Sequence, residues 1–167
     1  MAEPERTPDG RYLVIDGRRW RASDPHIPET LRVELVEELM AARRAVAAAR
    51  GDETAVRAAR DRVQDAKVAL GERGAPWWEP PGDGLDERLA AAVRTLLRHR
   101  DAEKTICPSD AARVAGGEHW RSTMDAARAA AVRLAGADVV EVRQRGAKVD
   151  PRTAKGPLRL ARGPAFC

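Results

Sequence analysis

Large aromatic side chains are scarce in this chain, with four Trp, one Tyr and one Phe among 167 residues. Its cores must therefore be built from Ala, Val and Leu, which suits close-packed helices better than sandwiches. Long apolar runs are also missing. None approaches the ~20 residues that cross a bilayer, so no membrane partner is expected. The segment from Met1 to Pro8 has neither a basic nor an apolar region and does not read as a secretory signal. The two cysteines, Cys107 and Cys167, are far apart and form no CxxC pattern. They exclude a disulfide framework and fit a reducing, cytoplasmic location. His26, His99 and His119 stand in separate segments without zinc-ligand spacing, so no metal is expected. GxSxG, Walker and GxGxxG patterns are all absent. Cys107 falls on an expected core strand and reads as a small hydrophobe. Ser109-Asp110 is placed to cap a helix. No catalytic residue, cofactor or enzymatic activity is assigned.

Charge, by contrast, is plentiful and unevenly placed. Residues 1–82 hold 14 basic and 15 acidic side chains, whereas residues 83–167 hold 16 and 11. Between Glu141 and Arg162 there are seven basic residues and two acidic ones. A positive excess confined to one short stretch is an anion footprint.

The pattern predicts a mainly α protein with a small β component. Residues 1–10 are expected to be a disordered tail. Arg11–Ile15 and Arg18–Ala22 read as strands joined by Asp16-Gly17, a type I′ turn sequence. Leu13, Ile15 and Trp20 then share one face, and Tyr12, Val14, Arg19 and Arg21 the other. A helix follows from Pro28 to about Arg50, with the seam Leu31, Leu35, Leu39, Ala42, Val46, Ala49. Asp52 can cap a second helix with the seam Val56, Ala59, Val63, Ala66, Leu70. Two such seams joined by a tight turn describe an antiparallel helical hairpin, so residues 11–78 form one module. The proline- and glycine-rich residues 79–84 read as a linker.

Residues 85–162 read as a second domain. A helix runs from about Leu85 to Arg100, followed by the short extended piece Thr105-Ile106-Cys107. A short helix reaches Val114, and a third spans about Glu118 to Ala135 with the seam Trp120, Met124, Ala127, Ala131, Leu134. Val139–Arg145 is a strand, residues 150–157 a loop, and Leu158–Leu160 part of the returning strand. Helix, strand, helix, helix, strand, basic loop, strand is the order of a winged helix, the loop being the wing. Residues 163–167 read as a tail.

Three stretches of this half are distinctive: Ile-Cys-Pro-Ser-Asp-Ala-Ala-Arg (106–113), Gly-Gly-Glu-His-Trp-Arg (116–121) and the run from Gly146 to Arg159. They resemble the bacterial family of unknown function numbered 3253. The resemblance implies a winged-helix-like fold and no established activity. Asp-Gly-Arg-Arg-Trp-Arg (16–21), Glu-Leu-Met-Ala-Ala-Arg-Arg (38–44) and the run from Asp65 to Gly74, ending in Pro-Trp-Trp (76–78), resemble small proteins of high-GC bacteria labelled "biopolymer transporter Tol". That second resemblance implies a shared module.

In a winged helix the third helix enters the major groove and the wing touches phosphates. Arg121, Ser122, Asp125 and Arg128 would line the exposed side of the third helix. The wing and its strands offer Arg143, Arg145, Lys148, Arg152, Lys155 and Arg159. These basic residues, with Ser122, are the candidate nucleic-acid contacts, and phosphate contacts of this kind position a duplex without reading it. Arg121, Asp125 and Arg128 also have the spacing of simple surface ion pairs. Trp77 and Trp78 are candidate partner-binding residues. Exposed, they would be a hot spot; folded back with Trp20, they would close the open end of the helical hairpin. Two functions are thus carried forward. One is a non-enzymatic winged helix that grips nucleic acid through its wing. The other is a protein-interaction adaptor or homodimer in which both halves are docking surfaces.

Overall fold

Thr7 turns the N-terminus back on itself. Its hydroxyl donates to Asp9 at 2.6 Å and accepts from the Tyr12 amide at 3.1 Å. β1 (Glu5–Arg6) consequently pairs antiparallel with β2 (Tyr12–Ile15), where a disordered tail over residues 1–10 is expected. The computed structural model describes residues 2–167. β2 continues into β3 (Arg18–Arg21) through Asp16 and Gly17, both at positive φ (51° and 74°), as a type I′ turn demands. Leu13 lies opposite Trp20 and Tyr12 opposite Arg21, the expected register.

α1 (Glu29–Ala48) and α2 (Glu53–Ala69) form the helical hairpin. The Asp52 carboxylate caps α2 by accepting from the Ala55 amide at 3.0 Å. Leu31, Leu35, Leu39 and Ala42 of α1 and Ala59 and Ala66 of α2 are buried. Toward the turn at Gly51 the seam opens, and Val46 and Val56 are only half-buried.

α3 (Leu85–His99) is the central helix. The sequence suggests one apolar face, Leu85, Leu89, Val93 and Leu96. In the fold, Ala91, Ala92, Thr95 and Leu97 are buried as well. The cause is that α3 packs against α1 and α2 on one side and against two later helices on the other. Its charged residues reach the first half in turn. Arg88 bonds Asp24, Arg94 and Arg98 bond Asp65, and Arg100, just past its end, bonds Glu34. One buried cluster therefore runs from Ile27 through α3 to Leu160. The linker at 79–84 is exposed, but the halves it joins share a core.

α4 (Pro108–Gly116) starts at a proline, as a first helical position allows, and Asp110 accepts from the Cys107 amide at 3.0 Å. The third helix of this half is not continuous. Gly117–Thr123 is a 3-10 helix and only Met124–Gly136 is α-helical (α5). Gly117 has φ 51° and ψ −123°, and His119 is non-helical, so the chain cannot enter an α-helix at Glu118. Trp120, expected in the buried seam, is half-buried and packs against the core.

β4 (Val140–Gln144), β5 (Ala147–Lys148) and β6 (Arg159–Arg162) form an antiparallel sheet in the order β5-β4-β6. Ile106 bridges Leu160 on the far side of β6. The class is mixed α+β, helices dominating, with two small antiparallel sheets. Residues 163–167, expected as a tail, are held. The Gly163 and Ala165 amides donate to Val139 and Asp138, and Phe166 packs against the core.

Candidate nucleic-acid interface

The loop between β5 and β6 is a built structure. Thr153 and Ala154 amides return to the Asp150 carbonyl, and the Asp150 carboxylate accepts from the Arg152 amide. That bond comes first in holding the Asp150 carboxyl below its usual pKa. Val149 and Ala154 pack against the core. The Gln144 amide nitrogen donates to the Lys155 carbonyl at 2.6 Å and to the Pro157 carbonyl at 3.2 Å. From α5, the Arg128 guanidinium donates to the carbonyls of Ala154 and Gly156 at 3.2–3.4 Å. Arg128 is thus the tie between α5 and the β5–β6 loop, and its donors are not directed at a ligand.

Two more expected contacts have structural partners. The Ser122 hydroxyl donates to the His119 carbonyl at 2.8 Å and closes the 3-10 helix. Arg159 donates to the hydroxyl and carbonyl of Thr105, fastening β6 to the extended piece before α4. Because the 3-10 helix intervenes, Arg121 and Arg128 do not share one continuous α-helical face.

The remaining cations fall into two groups. Arg143 bonds Glu141 at 2.8 Å, and Arg152 lies 3.3 Å from Asp150; both arginines stay at least partly exposed. The Arg143 bond keeps the Glu141 carboxyl below the usual carboxylate range, and the charges of Arg143 and Lys148 add to this. Arg121, Arg145, Lys148 and Lys155 are exposed and form no ion pair among the described residues. Arg145 sits at the tip of the β4–β5 turn with φ 52°. Lys148 and Arg159 both lie opposite Arg143 in the sheet register. Cross-strand partners point to the same face, so a row of three cations crosses the sheet away from Val142 and Leu160.

Residues 86–163 match the model of a family described as "Protein of unknown function (DUF3253)". The DUF3253 segment begins one residue into α3 and ends one residue past β6, just under half of the chain. It contains every candidate nucleic-acid contact. The Tol-labelled resemblance lies outside the matched residues and has no support from the match. No curated protein matches the chain.

Within the DUF3253 segment the sequence reading missed Arg113. From α4 its guanidinium lies 4.5 Å from the centre of the Trp120 ring, and Arg121 lies 4.5 Å from the same ring. Trp120 is half-buried against the core, and the two guanidiniums on its ring extend the basic surface beyond the β5–β6 loop. Only the fold brings α4 beside that ring. Outside the segment, Trp77 and Trp78 are half-buried. The Trp77 indole donates to the Ala22 carbonyl at 3.0 Å and meets Trp78 edge-to-face at 5.3 Å. Tyr12, Arg11 and Arg21 surround Trp78. Trp20 does not join them. It is on the other face of the sheet, 47% exposed, with the Lys67 ammonium 5.8 Å from its ring.

No described helix is long and apolar enough to cross a membrane.

Proposed function

We propose that residues 86–163 form a winged helix that grips the phosphate backbone of nucleic acid, wing first and with low sequence specificity, and carries out no catalysis. The observation that carries this reading is the contrast within the wing. The loop backbone is fixed by Gln144 and Arg128, while Lys155 on that loop, Lys148 on the adjoining β5 and Arg145 on the β4–β5 turn are exposed and form no ion pair among the described residues. Pre-placed cations without carboxylate partners suit a polyanion, since no internal bond has to break on binding. Arg121 on the Trp120 ring adds a cation near the start of the third helix. With Asp125 exposed on α5 and Arg128 committed to the wing, the helix has little with which to read base edges. The free thiols of Cys107 and Cys167 fit a reducing cytoplasmic setting.

Fluorescence anisotropy with duplex DNA at several salt concentrations tests the proposal. Contact with about four to six phosphates gives a log–log salt slope of about −4 to −5. Replacing Arg145, Lys148 and Lys155 by Ala lowers the magnitude of that slope by about three, whatever the duplex sequence. Failure to bind at low salt, or an unchanged slope in the triple variant, refutes the reading.

One observation favours the adaptor reading. Ile15 and Trp20, 44% and 47% exposed, lie on the same face of the N-terminal sheet. Sedimentation of the wild type and of Trp20→Ala measures whether that face pairs two copies. A monomer at all concentrations removes the homodimer form of this reading.

A further inference from the structure

A cavity of about 570 Å³ lies where the two halves meet, within the size range of small-molecule sites. It is walled by the end of the first module, by the Trp77 segment, by the start of α3 and by the turn from α4 into the 3-10 helix. We propose that it binds a free, planar, amino-bearing heterocycle of nucleobase size. The proposal does not depend on nucleic-acid binding by the wing.

Two features define the polar end. Asp24 is buried and shared. One carboxylate oxygen accepts from Arg88 at 2.8 Å, and the other lies 2.9 Å from His26 Nδ1. The His26 amide donates to the same carboxylate, which fixes the ring relative to Asp24. With Nδ1 engaged, Nε2 is the atom left to meet a ligand, and in the neutral ring it is an acceptor. Gly117 packs against His26 so closely that a Cβ there would stand 2.7 Å from His26 Cβ. Gly117 thus fixes the backbone and Cβ of His26, and Asp24 orients its ring.

Flatness comes from the other walls. Trp77, edge-to-face with the His26 ring at 6.0 Å, lines the cavity together with Pro76, Leu85 and Ala115. These surfaces suit the faces of a planar ring. At the rim are the exposed carboxylates of Glu79 and Glu118, neither bonded to another described residue. Arg73, Arg88 and Ser122 line the space too, but Arg73 donates to Gln64, Arg88 to Asp24 and the Ala69 and Val114 carbonyls, and Ser122 to the His119 carbonyl, so the acceptors Glu79, Glu118 and His26 Nε2 are the groups left for a ligand that brings N–H donors. Glu79 and Glu118 disfavour a phosphate beside them, while the lining cations Arg88 and Arg73 are engaged by Asp24 and Gln64, which favours a free heterocycle over a base carried on a strand.

The test uses the full chain with adenine, cytosine and 2-aminobenzimidazole as probes. Two-dimensional 1H–15N spectra follow the Trp77 indole N–H, whose bond to Ala22 places it beside the cavity. The expected result is saturable movement of that signal with a dissociation constant of about 1 mM or tighter for at least one probe. His26→Ala should weaken binding about threefold to tenfold, the loss of one hydrogen bond. Ser122→Trp, which fills the space from an exposed position on its wall, should abolish it. Both variants should keep the wild-type circular dichroism. Lack of saturable binding by any probe overturns the proposal. So does unchanged affinity in either variant, or movement of the Trp77 signal by an oligodeoxyadenylate but not by the free bases.

Discussion

Asp65 lies on α2 with both carboxylate oxygens engaged by α3. Arg94 donates at 2.6 and 3.0 Å and Arg98 at 2.6 Å, and the Arg98 side chain is only 8% exposed. The Asp65 hydrogen bond is the main reason the Arg94 guanidinium holds its proton more tightly than usual. Removing the carboxylate strands two partly buried cations. Asp65→Ala should destabilise the protein by about 3–5 kcal/mol in urea denaturation; a loss under about 1 kcal/mol would show that solvent reaches the pair. A gentler effect is expected at Glu141, which is partly exposed. Its pKa is lowered by Arg143, so the interaction favours the fold above the ordinary carboxylate range and fades as pH falls through the lowered value. An NMR titration of the Glu141 carboxyl should move back toward the ordinary value in Arg143→Ala.

At the scale of elements, the β5–β6 loop and α5 are one mechanical unit, because Arg128 of α5 bonds two carbonyls of the loop. Arg128→Ala should raise amide hydrogen exchange across residues 152–157 while leaving exchange in α3 unchanged. If the variant instead loses DNA affinity with a rigid wing, Arg128 is a contact residue after all. The Arg-Trp-Arg group beside the wing has a similar origin. The non-helical entry at Gly117 and His119 goes with 3-10 helix over Gly117–Thr123, where the start of an α-helix is expected. Trp120 still packs against the core there, and its ring also meets Arg113 and Arg121. Periodicity in the sequence reads straight across this break, since both helix types keep residues three apart on similar faces.

For the whole molecule, α3 decides cooperativity. Its circumference is buried by elements from both halves, and Asp24, Asp65 and Glu34 reach it from the first half. The intact chain should therefore unfold in one transition, with calorimetric and van't Hoff enthalpies equal. A fragment beginning at residue 85 bares the α1- and α2-facing side of α3 and should lose near-UV circular dichroism or aggregate. Two separate transitions would instead mean that the halves are independent domains. The cavity with Asp24 and His26 belongs to this scale too, for it exists only where the halves meet.

By itself the sequence determined the β2–β3 hairpin, the cap at Asp52, the helical hairpin and the α+β order of the second half. Each rests on interactions between residues near in the chain: a turn needing positive φ at Asp16-Gly17, a carboxylate three residues from an amide, apolar residues at helical spacing. The basic stretch from Glu141 to Arg162 was legible on the same terms. Which of its cations are free was not. Arg128 and Arg159 are indistinguishable in sequence from Arg145 and Lys155. Only folding brings Gly156 to the first and Thr105 to the second, while the other two form no ion pair among the described residues. An ion's availability depends on what lies beside it in space, so the candidate site emerged only with the tertiary structure.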